Sequence, residues 1–175
     1  MSRHEAIVHR FSPADIRQAF PVTDGVRQRF KHIENDQVFA ETYKGKLPAP
    51  IRYAGDDEVV WIGCHKTGMH TDPEWKDKYF LSLVIEANHT LYATTSARTV
   101  RKIHLTGGEL FVLDPMRIHW LERPWSSKDV YLSIQWVVPA EEMPAFLRTL
   151  RKELGKLADS NGHEHYPSVC SSEIY

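Results

Sequence analysis

Hydrophobic positions in the first part of the chain recur at helical spacing. Ser12 followed by Pro13 matches the preference for a serine N-cap and a proline at the first helical position. Apolar residues then return every three to four positions until Pro21, which cannot continue a helix. Residues 24–39 repeat this pattern more weakly. We therefore predict N-terminal helices within residues 1–45.

From residue 47 the hydrophobic pattern changes to short runs rich in β-branched and aromatic residues, separated by Gly, Pro, Asn, Asp or Ser. Such runs are typical of β-strands bounded by turns. No helical pattern lies between them, which favours a sandwich or jelly roll over residues 47–138. The six predicted strands are 58–64, 79–87, 90–95, 99–105, 109–113 and 130–138.

After Pro139 the apolar residues return to helical spacing, with basic residues between them. This predicts a C-terminal helix over residues 140–158 that packs against the β-core. Residues 159–175 are polar, and we expect them to be loosely ordered. A length of 175 residues fits one domain, mainly β with flanking helices.

Charge and cysteine content restrict the classes of partner and compartment. The formal net charge is −1, so no overall basic field indicates nucleic acid. No run reaches the roughly 18 apolar residues of a membrane span, so we expect no membrane partner. Two cysteines, Cys64 and Cys170, are too few for a disulfide framework and fit a reducing compartment. We expect a cytoplasmic protein.

Two histidines and one aspartate have the spacing of a metal site. His70 and Asp72 are separated by one residue, so both side chains point to the same face of an extended chain. His119 follows the glycine-led run 107–113, and Pro115 bends the chain so that His119 can face inward. Two histidines and one carboxylate with open positions are typical of non-haem Fe(II) oxygenases. The alternatives are an exposed turn at Asp72, which precedes a proline, and a core histidine at His119.

This arrangement resembles the Fe(II)- and 2-oxoglutarate-dependent dioxygenases, whose signature is His-x-Asp, a long gap and a distal histidine. Here the pattern is His70-Thr71-Asp72, then residues 73–118, then His119. The resemblance covers roughly residues 58–138. It implies a double-stranded β-helix (jelly roll, cupin-like) and Fe(II) as the catalytic metal. It also implies 2-oxoglutarate as a small-molecule co-substrate for hydroxylation or oxidative demethylation of an unknown prime substrate.

The resemblance also implies an anchor for the far carboxylate of 2-oxoglutarate. The family usually places a basic residue, suited to a bidentate carboxylate contact when it is arginine, about ten positions beyond the distal histidine. Lys128 stands near that position and Arg123 is closer to His119, so either is a candidate. Ser133 or Tyr131 would supply the hydroxyl often found beside the anchor. A lysine in place of arginine departs from the family pattern.

Two alternatives to this enzyme remain open from the sequence. A cupin-type metalloenzyme without 2-oxoglutarate would use the same barrel, and residues 115–119 resemble part of the second cupin motif. The first cupin motif, however, has His-x-His where this chain has His70-Thr71-Asp72. The other alternative is a non-catalytic β-barrel binding module.

Overall fold

The computed structural model describes residues 6–52, 59–95 and 97–159. Short 3₁₀ turns at Ala49–Ile51 and Pro73–Trp75 interrupt the longer elements. In chain order these are β1 (Ala6–Arg10), α1 (Pro13–Ala19), α2 (Asp24–Phe30), β2 (Val38–Thr42), β3 (Val60–Cys64), β4 (Lys78–Glu86), β5 (Asn88–Thr94), β6 (Val100–Thr106), β7 (Glu109–Leu113), β8 (His119–Glu122), β9 (Tyr131–Pro139) and α3 (Met143–Asp159).

The strands form two antiparallel sheets. The large sheet has the order β1-β7-β4-β9-β3-β2, and the small sheet has the order β6-β5-β8. All paired strands within the described ranges run antiparallel. The prediction of a mainly β protein with flanking helices is therefore confirmed.

The two sheets pack on each other through a shared group of buried residues, here called the inner cluster. Side chains alternate along each strand, and the strands β3, β4, β7 and β9 of the large sheet each give one face to this cluster. On β9, Tyr131 and Val137 face the inner cluster, whereas Ile134 and Trp136 face the helices. The inner cluster consists of Cys64, Phe80, Val84, Leu91, Ala93, Ile103, Leu105, Phe111, Leu113, Leu121, Tyr131 and Val137.

The helices cover the outer face of the large sheet. The apolar stripe of α3 buries Leu150 and Leu154 completely, as its helical spacing predicts. Beneath the helices, the fully buried Trp136 donates its indole Nε1–H to the carbonyl oxygen of Ile51 at 2.8 Å. This outer packing leaves the opposite face of the large sheet free to build a cavity with the small sheet.

The N-terminal prediction needs correction, because residues 1–45 contain strands as well as helices. Helix α2 ends at Phe30 and does not extend to residue 39; the following segment enters the large sheet as β2, paired with β3. Near the N-terminus, β1 pairs with β7. Both strands are short edge strands, and their partners lie far away in the chain, so local spacing did not indicate them.

Four other predictions lie partly or wholly outside what the structure describes. The predicted strand 58–64 begins at Val60, and residue 58 is outside the described ranges. The predicted loose tail falls almost wholly on residues 160–175, also outside them. No helix among the described residues is long and apolar enough to cross a membrane. The single-domain organisation and the cytoplasmic location stay predictions.

Candidate metal centre

Backbone pairing brings the predicted metal ligands together from distant parts of the chain. The His70 N–H donates to the His119 carbonyl at 3.1 Å, and the His119 N–H donates back to the His70 carbonyl at 2.9 Å. The Asp72 N–H donates to the Pro115 carbonyl at 2.9 Å. The segment after β3 is thereby fixed against the start of β8, with both histidines side by side.

The side chains of His70, Asp72 and His119 converge on one point. His70 Nε2 lies 3.8 Å from Asp72 Oδ1, and His119 Nε2 lies 3.5 Å from Asp72 Oδ2. One ligand atom from each residue lies within 4.8 Å of the other two. Adjacent ligands bound at about 2.1 Å from one ion would be about 3 Å apart at right angles. The three residues could therefore hold a metal ion after a small inward movement.

Both histidines are oriented by backbone carbonyls. His70 Nδ1 lies 2.7 Å from the Gly68 carbonyl oxygen, and His119 Nδ1 lies 2.8 Å from the Arg117 carbonyl oxygen. A carbonyl oxygen only accepts hydrogen bonds, so each neutral ring carries its proton on Nδ1. The Nε2 lone pair of each ring is then free on the side of Asp72. Metal-binding histidines typically have this arrangement.

Burial increases from one ligand to the next and favours the neutral state at the deepest position. The side chains of His70, Asp72 and His119 are 37%, 23% and 7% exposed. Burial lowers the pKa of His119, although its contact with the Arg117 carbonyl and the Asp72 charge oppose that change. Because a metal binds neutral imidazole, the lowered pKa favours the form that a ligand needs.

A cavity of about 750 Å³ lies between the two sheets and includes all three candidate ligands in its wall. Aliphatic and aromatic side chains from both sheets form most of this wall, among them Phe80, Leu91 and Phe111. The side chains in the wall that carry hydrogen-bonding groups, besides the three ligands, are Thr67, Glu74, Trp75, Ser82, Trp120, Tyr131 and Gln135. A volume of this size is in the usual range for small-molecule sites.

Of the residues predicted to contact 2-oxoglutarate, Tyr131 lines this cavity, whereas Lys128, Arg123 and Ser133 do not. Lys128 is exposed, and Arg123 donates to Asn35 Oδ1 at 3.2 Å on the surface. Ser133 is buried on β9, but it is not part of the cavity wall. Among the described residues, no lysine or arginine lines the cavity. The structure thus brings the three predicted metal ligands together, but neither candidate for the basic anchor reaches the cavity.

Several polar residues of the cavity were not predicted from the sequence, and Ser82 and Gln135 are two of them. Ser82 on β4 and Gln135 on β9 face the interior of the protein, and the Ser82 hydroxyl donates to Gln135 Oε1 at 3.1 Å. A signal was present in the sequence, because each is a polar residue at an inward position of an otherwise apolar strand. Such interruptions of a buried strand are informative since buried polar groups need partners.

No known protein family matches the chain, and no curated protein matches it either. Two solved structures are similar in part. One is the plu4264 protein from Photorhabdus luminescens, with 15% identity, 69% of this chain and 88% of that chain covered, and a TM-score of 0.38. The other is the non-heme monooxygenase ThoJ in complex with nickel, with 10% identity, coverage of 89% and 94%, and a TM-score of 0.39. Both TM-scores are below 0.5, so neither likeness assigns an activity to this chain.

Proposed function

We propose that this protein is an iron-dependent oxygenase that holds Fe(II) with His70, Asp72 and His119. The observation that carries the proposal is the convergence of these three side chains in the wall of a largely apolar cavity. Two histidines and one carboxylate are the ligand set of non-haem Fe(II) oxygenases, and three protein ligands leave positions open. Bound there, the iron would supply activation of dioxygen.

The chain's own residues prepare this site in three ways. The carbonyls of Gly68 and Arg117 hold the two imidazoles with Nε2 toward Asp72, which reduces the reorganisation needed for metal binding. The apolar wall keeps water away from the reacting groups and holds an apolar substrate beside them. Asp72, between the two histidines, offers a charge that favours a cation over a neutral ligand.

The double-stranded β-helix is the finer fold that we propose for this core. Its support is the pair of antiparallel sheets that face each other across the inner cluster, with the cavity and the three ligands between them. The flanking helices lie on the outer face of the large sheet, away from this cavity.

The cavity favours an oxygenase that does not use 2-oxoglutarate over one that does. A dianionic co-substrate needs a cation for its far carboxylate, and the described wall contains Asp72 and Glu74 but no lysine or arginine. Lys78 contacts a residue of the wall, since its ammonium group lies 5.2 Å from the centre of the Trp75 ring. Lys128 and Arg123 lie outside the wall.

Anaerobic titration with Fe(II), followed by 2-oxoglutarate and then nitric oxide, tests this function on the full-length protein. We expect iron uptake and no visible metal-to-ligand charge-transfer band when 2-oxoglutarate is added. Nitric oxide, a stand-in for dioxygen, should then give the electron paramagnetic resonance signal of a high-spin iron–nitrosyl centre. Failure to bind iron would overturn the oxygenase proposal, whereas a charge-transfer band would show that 2-oxoglutarate is used. Lys78→Ala would then identify or exclude Lys78 as the anchor.

A further inference from the structure

A small polar cluster lies inside the otherwise apolar cavity, on the sheet that faces the metal ligands. Ser82 and Gln135 are directly opposite each other on the paired strands β4 and β9. Ser82 is 1% exposed, and its hydroxyl donates to Gln135 Oε1 at 3.1 Å. Gln135 is half-buried, and a ligand that covered its amide would make burial costly unless the ligand supplied a hydrogen-bond partner.

Gln135 has unused donors in this arrangement. Its Oε1 accepts from Ser82, which leaves the two N–H donors of Nε2 for another group. Within the part of the chain that the structure describes, Ser82 is the residue that hydrogen-bonds the Gln135 side chain. Because Gln135 lies in the cavity wall, its amide nitrogen is placed to donate to an acceptor on a molecule inside the cavity.

The other groups around this pair are also uncharged. Burial raises the pKa of Tyr131, partly offset by the neighbouring Ser133 and Ser82 hydroxyls, so Tyr131 stays a neutral phenol. The cluster therefore offers neutral hydrogen-bonding groups and no compensation for a charged ligand.

The charges that the cavity does carry are negative. Asp72 and the exposed Glu74 are the carboxylates in its wall, and no cation in the described wall opposes them. In the metal-free protein, an anionic ligand would lose its hydration in this cavity without gaining an ion pair. Ring-bearing ligands, by contrast, would contact Trp75, Phe80 and Phe111, of which Trp75 and Phe80 form an edge-to-face pair at 6.1 Å.

We propose that the cavity binds a neutral, ring-containing molecule whose carbonyl or similar acceptor oxygen receives a hydrogen bond from the Gln135 amide. Ser82 is the positioning residue that holds this amide. Gln135 on the large sheet and His119 on the small sheet line the same cavity, so the hydrogen bond sets which part of the molecule faces the metal ligands. That this molecule is the substrate of the oxygenase rests on the proposed function. The binding preference itself does not require a bound metal.

Three probes of nearly equal shape test the preference by equilibrium dialysis against the full-length protein, as purified and after chelation. They are 2-acetylnaphthalene, which carries an acceptor oxygen, 2-isopropylnaphthalene, which lacks it, and 2-naphthoate, which is anionic. For the chelated protein we expect the acetyl probe to bind about fivefold more tightly than the isopropyl probe, the usual effect of one hydrogen bond. The naphthoate should bind at least about tenfold more weakly than the acetyl probe.

Gln135→Leu should reduce the acetyl-to-isopropyl affinity ratio to about one, and Gln28→Leu on the exposed face of α2 should leave it unchanged. The ratio is measured within one sample, so it does not depend on the fraction of folded protein. An unchanged ratio in Gln135→Leu, preferential binding of naphthoate, or no binding of any probe would overturn the inference. Because the chelated protein is used, these outcomes leave the metal assignment untouched, and loss of iron binding would leave the probe preference untouched.

Discussion

Substitution of Gly108 by alanine should destabilise the fold strongly. Gly108 lies in the turn between β6 and β7, with a φ of +89° that residues with a side chain rarely adopt. An added methyl group would lie 2.4 Å from the Phe11 carbonyl oxygen and 3.2 Å from the Pro13 nitrogen, both backbone atoms. The turn cannot easily move away, since the Gly108 N–H donates to the Val84 carbonyl and its own carbonyl accepts from the Phe11 N–H, both at 2.8 Å.

The expected loss follows from these two effects. The positive φ costs about 1–2 kcal/mol for an L-residue, and overpacking costs about 1–3 kcal/mol. Gly108→Ala should therefore lower the free energy of unfolding by about 2–5 kcal/mol, a large part of the roughly 5–15 kcal/mol typical of a domain. Gly155→Ala is the matched control: apart from its two chain neighbours and the backbone of α3, no described atom lies within 4 Å of the added methyl group, so it should stabilise by about 0.5–1 kcal/mol.

Urea unfolding of the full-length protein, followed by far-ultraviolet circular dichroism, measures both variants. Gly108→Ala should unfold at a lower urea concentration with an unchanged slope, and Gly155→Ala at a slightly higher one. A Gly108→Ala protein within about 0.5 kcal/mol of the parent would refute the reasoning, because surface substitutions without a specific mechanism produce changes of that size.

Three further predictions concern the core, the pH dependence and the predicted anchor. Trp136→Phe should cost about 2 kcal/mol in urea unfolding, because the buried Ile51 carbonyl loses its donor; a change under about 0.5 kcal/mol would contradict this. Burial lowers the pKa of His89, so below about pH 6.5 the native state binds fewer protons than the unfolded state. The free energy of unfolding should therefore fall as the pH drops through this range, by up to about 1.4 kcal/mol per pH unit for this residue. His89→Gln should flatten that slope in urea titrations between about pH 7 and 5, and an equally steep slope would contradict the assignment. Lys128→Ala should leave affinities for Fe(II) and 2-acetylnaphthalene unchanged in equilibrium dialysis, since Lys128 is outside the cavity wall; a decrease in either would place it at the site.

Local patterns in the sequence predicted the parts of the fold that depend on local chemistry. Ser12 caps α1 through the Asp15 N–H, and the apolar stripe of α3 packs on the large sheet. The edge strands β1 and β2 were not predicted, because they form by pairing with β7 and β3, which lie elsewhere in the sequence. Strand pairing of this kind depends on tertiary contacts more than on the propensity of the strand itself.

The same distinction explains which part of the site was predicted. His70 and Asp72 share a face through their spacing, and the turn before β7 leads the chain toward His119. The co-substrate anchor was assigned by distance along the chain, and that distance does not bring Lys128 to the cavity. Gln135 was visible as a polar residue in an apolar strand, but its partner Ser82 lies on another strand and appears only in the folded protein.

Binding of Fe(II) to the parent protein and to His119→Ala, measured anaerobically by equilibrium dialysis, tests the central claim most directly. The parent should bind one ion per chain, and the loss of the most buried ligand should weaken binding by at least about 100-fold. His104→Ala, which removes an exposed histidine of β6, should bind as the parent does. Equal affinity of His119→Ala and the parent would contradict the claim that His70, Asp72 and His119 form the metal site.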